Sequence, residues 1–445
     1  MENQKILLNK KAKVVTMGCQ LNESDSEKLM GMLTYMGASL TDKTELADII
    51  IFNTCAVREN AEKKVLGLLG SLKKKAEEKP DMLIGICGCT ATQPHIAELI
   101  KKKYRHVRLV FGTCSLARFP ELIQEAMQSG KTVIDIEQRK EVPEGLPVCR
   151  GEGPKAWLPV MFGCDNFCSY CVVPHVRGRE RSRTPQAILA EAKAIALQGK
   201  KEIMLLGQNV NSYGKGLAEP VDFASLLYLL NDVEGIERIR FMTSHPKDIH
   251  PRLIEAMAFC DRVCKQLHLP VQSGSDAVLS AMNRHYTRAQ YLEKIAYARH
   301  MMPDVVLSTD IMVGFPGETE EDFEDTLSLM KEVRYDSAFT FIYSRREGTP
   351  AATWENQIPE DVVHERFERL VQLQNQISLE KNRALSGKTL TVLCEGASKN
   401  DPRMLTGRDE GNRLVHFKGD PSWIGNMIPI RITQAESFCL YGEVL

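Results

Sequence analysis

Residues 157–171 read WLPVMFGCDNFCSYC, an apolar run that ends in three cysteines spaced C-x3-C-x2-C. An apolar run of this kind is typical of a strand that is buried on both faces. Three thiolates so close together are soft ligands, which favour an iron–sulfur cluster or zinc. A structural zinc site takes four ligands and would need His175 as well. A redox pair of Cys168 and Cys171 would leave Cys164 without a role. The spacing predicts a cluster on Cys164, Cys168 and Cys171.

Five more apolar runs follow, and a helical stretch comes after each of them. With the first run they make six βα units over residues 157–386. These units predict a partial (βα)6 barrel whose site lies at the carboxyl ends of the strands. Thr184 and Pro185 are predicted to cap and begin the first helix. The five runs are EIMLLGQN (202–209), RIRFMTS (238–244), KQLHLPVQS (265–273), VVLSTDIMVGF (305–315) and SAFTFIYS (337–344).

Residues 12–137 also alternate apolar runs with helical stretches. This pattern predicts a parallel sheet covered by helices on both faces. Every run ends in cysteine, and the carboxyl ends of parallel strands form the ligand crevice of such sheets. Asn22 is predicted to cap the first helix. The four runs are AKVVTMGC (12–19), ADIIIFNTC (47–55), DMLIGICGC (81–89) and RLVFGTC (108–114).

The chain's two remaining segments differ from these α/β regions. Residues 138–156 are charged and rich in Gly and Pro, which indicates a linker. Residues 387–445 contain short strands separated by glycine and predict a small antiparallel β-barrel. The fold class is therefore α/β, with an N-terminal parallel-sheet domain, a central partial barrel and a terminal β-barrel.

Composition narrows the function classes. The chain of 445 residues has 57 Lys and Arg against 58 Asp and Glu, so no global charge attracts nucleic acid and RNA would need local basic patches. The hydrophobic content of 43% excludes disordered and fibrous classes. Neither a membrane span nor a signal peptide is evident, which predicts a cytoplasmic protein without a membrane partner. An odd number of cysteines, 13, indicates metal chemistry rather than structural disulfides in that compartment.

The motif GCDNFCSYCVVPHVRGRERSR (163–183) resembles the methylthiotransferase branch of the radical S-adenosylmethionine enzymes. The resemblance extends over nearly the whole chain, and the last 60 residues resemble the TRAM module, a small RNA-binding β-barrel. The other matching motifs are TMGCQLNESDSE (16–27), NTCAVRENAE (53–62), GCTATQ (88–93), LLGQNVNSYG (205–214), TSHPKD (243–248), LHLPVQSGSDAVLSAMNRHYTR (267–288), TDIMVGFPGETEEDF (309–323) and YSRREGTPAA (343–352).

The resemblance implies two 4Fe–4S clusters and S-adenosylmethionine. The first cluster, on Cys164, Cys168 and Cys171, would bind S-adenosylmethionine at its open iron and yield a 5′-deoxyadenosyl radical. The second would hold the sulfur that is methylated and transferred, on the ligands Cys19, Cys55 and Cys89. Cys87 and Cys114 match no ligand position and are predicted to be small core residues.

Polar side chains at the carboxyl ends of the barrel strands are predicted to hold S-adenosylmethionine. They are Gln208, Asn209, Ser244, Gln272 and Asp310. The alternative for Gln208 and Asn209 is capping of the βα turn.

Four arginines directly after the cysteine loop are predicted to bind RNA phosphates while the target base enters the pocket. The alternative is a solvated charged face. The four are Arg177, Arg179, Arg181 and Arg183.

The resemblance implies an enzyme that adds a methylthio group to C2 of N6-dimethylallyladenosine at tRNA position 37. Two alternatives inside the family act on threonylcarbamoyl-adenosine in tRNA or on an aspartate of a ribosomal protein. An alternative from another class is a non-catalytic iron–sulfur sensor that binds RNA. The expected partners are the tRNA anticodon stem-loop and an electron donor such as flavodoxin or ferredoxin, and the protein is expected to be a monomer.

Overall fold

A computed structural model describes residues 5–56, 59–399 and 401–445, with side chains for all of these except 59–61. The chain forms two compact units. The first takes the chain up to Gly151 together with Met161–Asp165 and Val172–Arg183. The second takes Glu152–Val160, Asn166–Cys171 and Thr184–Leu445. The three-domain division at 12–137, 157–386 and 387–445 stays a prediction.

A six-stranded parallel sheet forms the first unit, with strand order β2-β1-β3-β4-β5-β6. The sequence predicts four of its strands, and the two short edge strands, β2 and β6, are additions. The strands are β1 (Lys11–Thr16), β2 (Ser39–Leu40), β3 (Ile49–Thr54), β4 (Leu83–Gly88), β5 (Val107–Phe111) and β6 (Val133–Asp135). The helices are α1 (Gln20–Tyr35), α2 (Glu59–Ser71), α3 (Lys73–Glu78), α4 (Pro94–Lys103) and α5 (Phe119–Ser129).

Helices cover both faces of this sheet, as the continuous apolar strands predict. Successive side chains of a strand point to opposite faces. Ile49 and Ile51 of β3 accordingly pack in one core with residues of α1 and α5. Ile50 and Phe52 pack in a second core with residues of α2 and α4. A strand buried on both sides has no polar face, which explains the unbroken apolar run.

Helix α1 begins one turn earlier than the predicted cap at Asn22, with Cys19 at its N-cap position. The prediction is wrong because the Asn22 side chain has other partners. Its Nδ2 donates to Asn53 Oδ1 at 3.0 Å and to the Thr54 carbonyl at 2.8 Å. This buried pair of bonds fixes the start of α1 against the carboxyl end of β3.

Six parallel strands form the partial barrel of the second unit, as predicted. They run in two groups, β11-β10-β7 and β12-β13-β14. A parallel bridge between Ile239 and Val263, just before β12, links the groups. The strands are β7 (Lys155–Pro159), β10 (Glu202–Leu206), β11 (Arg238–Phe241), β12 (Gln266–His268), β13 (Val306–Val313) and β14 (Ser337–Ile342).

The first apolar run is not one strand. Strand β7 ends at Pro159, and β8 (Met161–Phe162) pairs antiparallel with β9 (Arg181–Ser182) in the first unit. The predicted cap of the first barrel helix is confirmed, since the Thr184 side chain accepts the Ala187 N–H. The helices of this part are α6 (Val173–Arg177) in the first unit and α7 (Pro185–Leu197), α8 (Phe223–Asn231), α9 (Pro251–Phe259), α10 (Asp276–Ala281), α11 (Arg288–Met301), α12 (Glu320–Val333) and α13 (Glu360–Arg383) in the second.

Five strands close into the terminal barrel, in the order β15-β16-β17-β19-β18. Four pairs are antiparallel, whereas β17 and β19 pair in parallel. A core that includes Val392, Phe417 and Leu440 fills its interior. The strands are β15 (Thr389–Ala397), β16 (Leu405–Arg408), β17 (Leu414–Phe417), β18 (Met427–Ala435) and β19 (Cys439–Val444). Four of these strands correspond to the stretches from which the barrel is predicted, TLTVLCEG (389–396), RLVHFKG (413–419), MIPIRITQA (427–435) and CLYGEVL (439–445), and β16 is an addition.

The terminal barrel packs against the amino-terminal ends of the partial-barrel strands. Arg240 of β11 donates to the carbonyls of Asp409 and Glu410, and Arg238 donates to those of Thr391 and Arg408. These contacts do not cover the opposite, carboxyl ends of the strands, where the sequence predicts the cofactor site. None of the helices in the described residues combines the length and apolar character that a bilayer crossing requires.

Candidate cluster and cofactor sites

Three cysteines lie at the carboxyl ends of three adjacent strands of the first unit. Cys19 follows β1, Cys55 follows β3 and Cys89 follows β4, and these strands are hydrogen-bonded in that order. Cys55 and Cys89 are buried and Cys19 is exposed. Gly18, at φ +137°, permits the close approach, since a Cβ there would lie 2.5 Å from Cys55 Cβ. The backbone therefore brings together residues that are 36 and 34 positions apart in sequence.

The thiols in this group have different acidities. A hydrogen bond from Cys55, together with the charge of Arg177, lowers the pKa of Cys19 to about 5. Burial raises the pKa of Cys89, although Arg177 opposes that shift. The thiolate is the form that binds metal. Cys19 is therefore ready to act as a ligand near neutral pH.

Two further cysteines follow the same sheet but differ in their surroundings. Cys87 is buried in the core beneath α1 and α5, so its predicted packing role is confirmed. Cys114 is only half-buried, and Arg181 Nη2 lies 3.5 Å from its sulfur. The prediction of a core role for Cys114 is therefore wrong. It lines a cavity of about 380 Å³ together with Arg118, Arg139 and Arg181.

The four arginines after the cysteine loop do not share one environment. Arg177 is 4% exposed and contacts Cys89, and Arg183 is 4% exposed and pairs with Glu144 at 2.6 Å. Arg181 donates to the carbonyls of Arg139 and Arg177. Only the side chain of Arg179 is largely exposed, at 71%, although it pairs with Asp165. The expectation of four phosphate-binding arginines therefore needs correction, because burial and intramolecular partners occupy Arg177 and Arg183.

The C-x3-C-x2-C loop begins in the first compact unit. Gly163 adopts φ +79°, where a Cβ would lie 2.0 Å from the Arg179 carbonyl oxygen, so only glycine fits. The amide of the next residue, Cys164, donates to the Gly178 carbonyl at 3.2 Å. These contacts fix the backbone at the first cysteine.

The other two cysteines of the loop belong to the second unit. The amide of Cys171 donates to the Cys168 carbonyl at 3.0 Å, which makes a tight turn. Cys168 is buried, with Arg284 Nη1 3.6 Å from its sulfur. The Tyr170 ring between them meets Phe315 edge-on, with ring centroids 6.5 Å apart. The aromatic rings of Tyr170 and Phe315 therefore pack beside this turn.

Polar groups without protein partners gather at the carboxyl ends of β10 and β11. Asn209 is 1% exposed; its Nδ2 donates to Asp248, but its Oδ1 has no protein partner. The hydroxyl of Ser244 and the Nε2 of His245 are likewise buried without partners. Burial and the nearby Arg284 charge lower the pKa of His245, so its imidazole is neutral. His245 follows Ser244 in the motif TSHPKD at the same strand end, but it is not among the residues that the sequence predicts to hold the cofactor.

The remaining predicted cofactor residues have defined places. Gln208 lies half-buried beside Asn209. Gln272 is buried and has φ +73°. Its backbone N–H donates to the backbone carbonyl of Asp310 at 2.8 Å. Asp310 Oδ1 lies 3.4 Å from His268 Nε2. Gln272, which forms an isolated parallel bridge with Ile311 after the end of β12, is therefore a neighbour of Asp310 in β13.

These residues fit the groups that the resemblance implies. Thiols are the donors that iron–sulfur clusters require. Buried polar atoms without a protein partner are costly, and a polar ligand would satisfy them. The described residues contain no group of three His, Cys, Asp or Glu side chains arranged around a single metal ion. In a cubane cluster each thiolate binds a different iron, so the sulfurs need not meet at one point.

Comparison with known proteins identifies the family. The profile of the Radical SAM superfamily matches residues 158–330, the profile called Uncharacterized protein family UPF0004 matches 11–112, and the TRAM domain matches 383–445. The tRNA-2-methylthio-N(6)-dimethylallyladenosine synthase of Alkaliphilus oremlandii is 53% identical over 98% of this chain and 93% of its own length. The chain belongs to the radical S-adenosylmethionine methylthiotransferase family.

Other relatives of this methylthiotransferase support the same assignment. The protein of the same name from Clostridium botulinum is 54% identical, over 97% of this chain and 96% of its own length. Among solved structures, the radical S-adenosylmethionine methyltransferase TsrM from Kitasatospora setae matches with a TM-score of 0.58. It is 13% identical and covers 77% of this chain and 75% of its own. That likeness concerns the fold.

Proposed function

We propose that this methylthiotransferase adds a methylthio group to C2 of N6-dimethylallyladenosine at position 37 of tRNA. The observation that carries the proposal is 53% identity, across 98% of the chain, to a synthase named for that product. Cysteines at three adjacent strand ends of the first unit support it. So does the C-x3-C-x2-C loop.

Two cysteine groups would hold two 4Fe–4S clusters. Cys164, Cys168 and Cys171 would hold the one that binds S-adenosylmethionine, and Cys19, Cys55 and Cys89 would hold the one that carries sulfur. When bound, these groups supply the one-electron chemistry and the sulfur that replacement of an aromatic C–H bond requires.

The protein's own side chains would bind and orient the cofactor. The unpartnered atoms of Asn209 and Ser244 can pair with its amine, carboxylate or ribose hydroxyls. Nδ1 of neutral His245 accepts the Lys247 N–H at 3.2 Å, so its Nε2 carries the proton and can donate a hydrogen bond to the cofactor without adding a charge. Gln272 and Asp310 extend the polar lining to β13. Gln208 belongs to the same proposed lining through its position beside Asn209. Tyr170 and Phe315 would exclude water from this side of the loop.

The RNA would be held by local contacts, because the chain has a net charge of only −1. Arg179 is exposed and can bind a phosphate. The terminal barrel matches the TRAM domain and is the second expected contact. An anticodon loop is single-stranded, so its base can leave the stack and enter a pocket. We further propose a cytoplasmic monomer that takes electrons from a donor such as flavodoxin or ferredoxin.

The test is anaerobic reconstitution with iron and sulfide, followed by incubation with S-adenosylmethionine, reductant and tRNA. Three tRNA preparations are compared, which carry dimethylallyl-adenosine, threonylcarbamoyl-adenosine or unmodified adenosine. The proposal expects a methylthio product, measured by nucleoside mass analysis, from the dimethylallyl substrate. A product from the threonylcarbamoyl substrate alone would contradict the substrate assignment. A sensor would form no 5′-deoxyadenosine.

A further inference from the structure

Arg177 lies in a motif that predicts contact with RNA, yet its guanidinium is buried beside Cys89. The residue is 4% exposed, and its Nε donates to Cys89 Sγ at 3.3 Å. Its Nη2 lies 3.0 Å from Asp25 Oδ2 and 3.3 Å from Asn22 Oδ1. All these contacts lie within the first compact unit.

Local structure explains how the arginine reaches this place. Helix α6 has a single turn that ends at Arg177, and Gly178 follows with φ +75°. Val172 and Val176 pack with Ala56 and Cys89 in one apolar cluster. That packing places α6 directly over the end of β4. Its last side chain therefore lies alongside the cysteine sulfur.

Helix α1 supplies the other side of the arrangement. Asn22 and Asp25 are three residues apart, so they share one face of the helix. Asp25 is 6% exposed, and its carboxylate balances the buried guanidinium. A guanidinium has five N–H donors, and burying it without acceptors is costly. The Cys89 sulfur is the acceptor for Nε, and the Asp25 carboxylate and the Asn22 amide oxygen are the acceptors for Nη2.

We propose that Arg177 is a positioning residue for the cluster on Cys19, Cys55 and Cys89, where it donates an N–H to a thiolate ligand and raises the cluster's reduction potential. The inference rests on the proposed function. Hydrogen bonds to the sulfurs and local charge set the potentials of iron–sulfur clusters. A buried positive charge stabilises the added electron of the reduced state, and an N–H bond lowers the electron density on the ligand sulfur.

The test measures the reduction potential of this cluster alone. The full chain carries Ala at Cys164, Cys168 and Cys171, which leaves one cluster to titrate under spectroscopic monitoring. Arg177→Met in that background removes the charge and the donors while keeping a long side chain. We expect an at least tenfold lower ratio of reduced to oxidised cluster at a fixed potential, which corresponds to about 59 mV for one electron. Arg177→Lys keeps the charge and is expected to recover part of the shift.

Arg183→Met is the matched control, because Arg183 lies in the same segment and is also only 4% exposed, but it pairs with Glu144. We expect it to leave the potential unchanged. An unchanged potential in Arg177→Met, with normal iron content, would overturn the inference and leave the proposed function intact. If that variant binds tRNA more weakly but has an unchanged potential, Arg177 binds RNA phosphate instead, as the sequence predicts. Absence of any cluster in the background protein would instead contradict the proposed function.

A variant that keeps Arg177 decides the question if Arg177→Met does not fold. Asp25→Asn removes the charged anchor but leaves an amide that can still accept from Nη2. Loss of that carboxylate leaves the guanidinium charge beside Cys89 uncompensated, so a higher reduction potential is expected. A wild-type potential in folded Asp25→Asn, together with one in Arg177→Lys, would overturn the inference.

Discussion

Replacement of Cys19, Cys55 and Cys89 by Ala separates the two proposed clusters. Reconstituted wild-type protein should contain about eight irons, from two cubanes, and the triple variant about four. The variant should still cleave S-adenosylmethionine to 5′-deoxyadenosine, because Cys164, Cys168 and Cys171 are unchanged. It should form no methylthio product, because the sulfur-carrying ligands are gone.

The structure also gives the cost in stability. Loss of the Cys89 sulfur leaves the Arg177 Nε–H buried without its acceptor, a penalty of about 1–3 kcal/mol. A domain has a free energy of unfolding of about 5–15 kcal/mol. The variant is therefore expected to fold, which its melting temperature and circular dichroism would check.

Cys87→Ala is the matched control, since Cys87 is two residues from Cys89 on the same buried strand end. It deletes one buried heavy atom from an apolar core, at a cost of about 1 kcal/mol. For a unit of 150–250 residues this cost lowers the melting temperature by about 2–4 °C. Iron content and product should stay at wild-type levels. Methylthiolated tRNA from the triple variant, or its loss in Cys87→Ala, would refute the assignment of ligands.

Four further outcomes are expected. Replacing Cys164, Cys168 and Cys171 by Ala should leave about four irons and abolish 5′-deoxyadenosine; continued reductive cleavage would show that the cofactor binds elsewhere. Arg179→Ala should reduce the slope of log affinity for tRNA against log salt by about 1. Lys74→Ala, at another exposed cation on α3, should leave that slope unchanged. Arg240→Met should lower the unfolding free energy, measured in denaturant titrations, by about 3–5 kcal/mol, since it leaves the buried Glu202 carboxylate without its 3.0 Å partner. Adding Glu202→Gln removes the uncompensated charge and should recover part of that loss, while the hydrogen bonds from Arg240 to the Asp409 and Glu410 carbonyls stay absent. Burial alone would raise the pKa of Glu202, but the charges of Arg240 and Lys155 outweigh that effect and hold the pKa below its ordinary value of 4.5. The stability that the ionised carboxylate contributes should therefore be lost as the pH falls below 4.5. Glu202→Gln, which cannot ionise, should make the unfolding free energy less dependent on pH in this range.

Each of the two cysteine groups has a buried arginine beside one of its sulfurs. Arg177 contacts Cys89 in the first unit, and Arg284 lies 3.6 Å from Cys168 in the second. Both arginines are 4% exposed. A buried cation beside a thiol favours the thiolate, which is the form that binds iron. Each cysteine group therefore includes one sulfur that lies beside a buried guanidinium.

Local sequence determined the elements and the proposed ligands. The spacing of Cys164, Cys168 and Cys171 spans one loop, so it could be interpreted without knowledge of the fold. The apolar runs predicted the parallel strands of both units, because a strand buried on two faces has no polar positions. Cysteines that end such runs must lie along one edge of the sheet. The sequence therefore indicated Cys19, Cys55 and Cys89 as possible neighbours, and the family resemblance selected them.

Tertiary structure alone decided the environments of individual side chains. Arg177 and Arg179 occupy the same charged motif, but one is buried and the other exposed. The difference depends on Asp25, which is 152 residues from Arg177 in sequence and compensates its buried charge. Asn22 bonds to β3 instead of capping its helix, and Cys114 lies beside Arg181 instead of in the core. Charge, hydrogen-bond capacity and length belong to a residue and can be read from the sequence. Whether burial is compensated depends on partners that only the folded chain brings within reach.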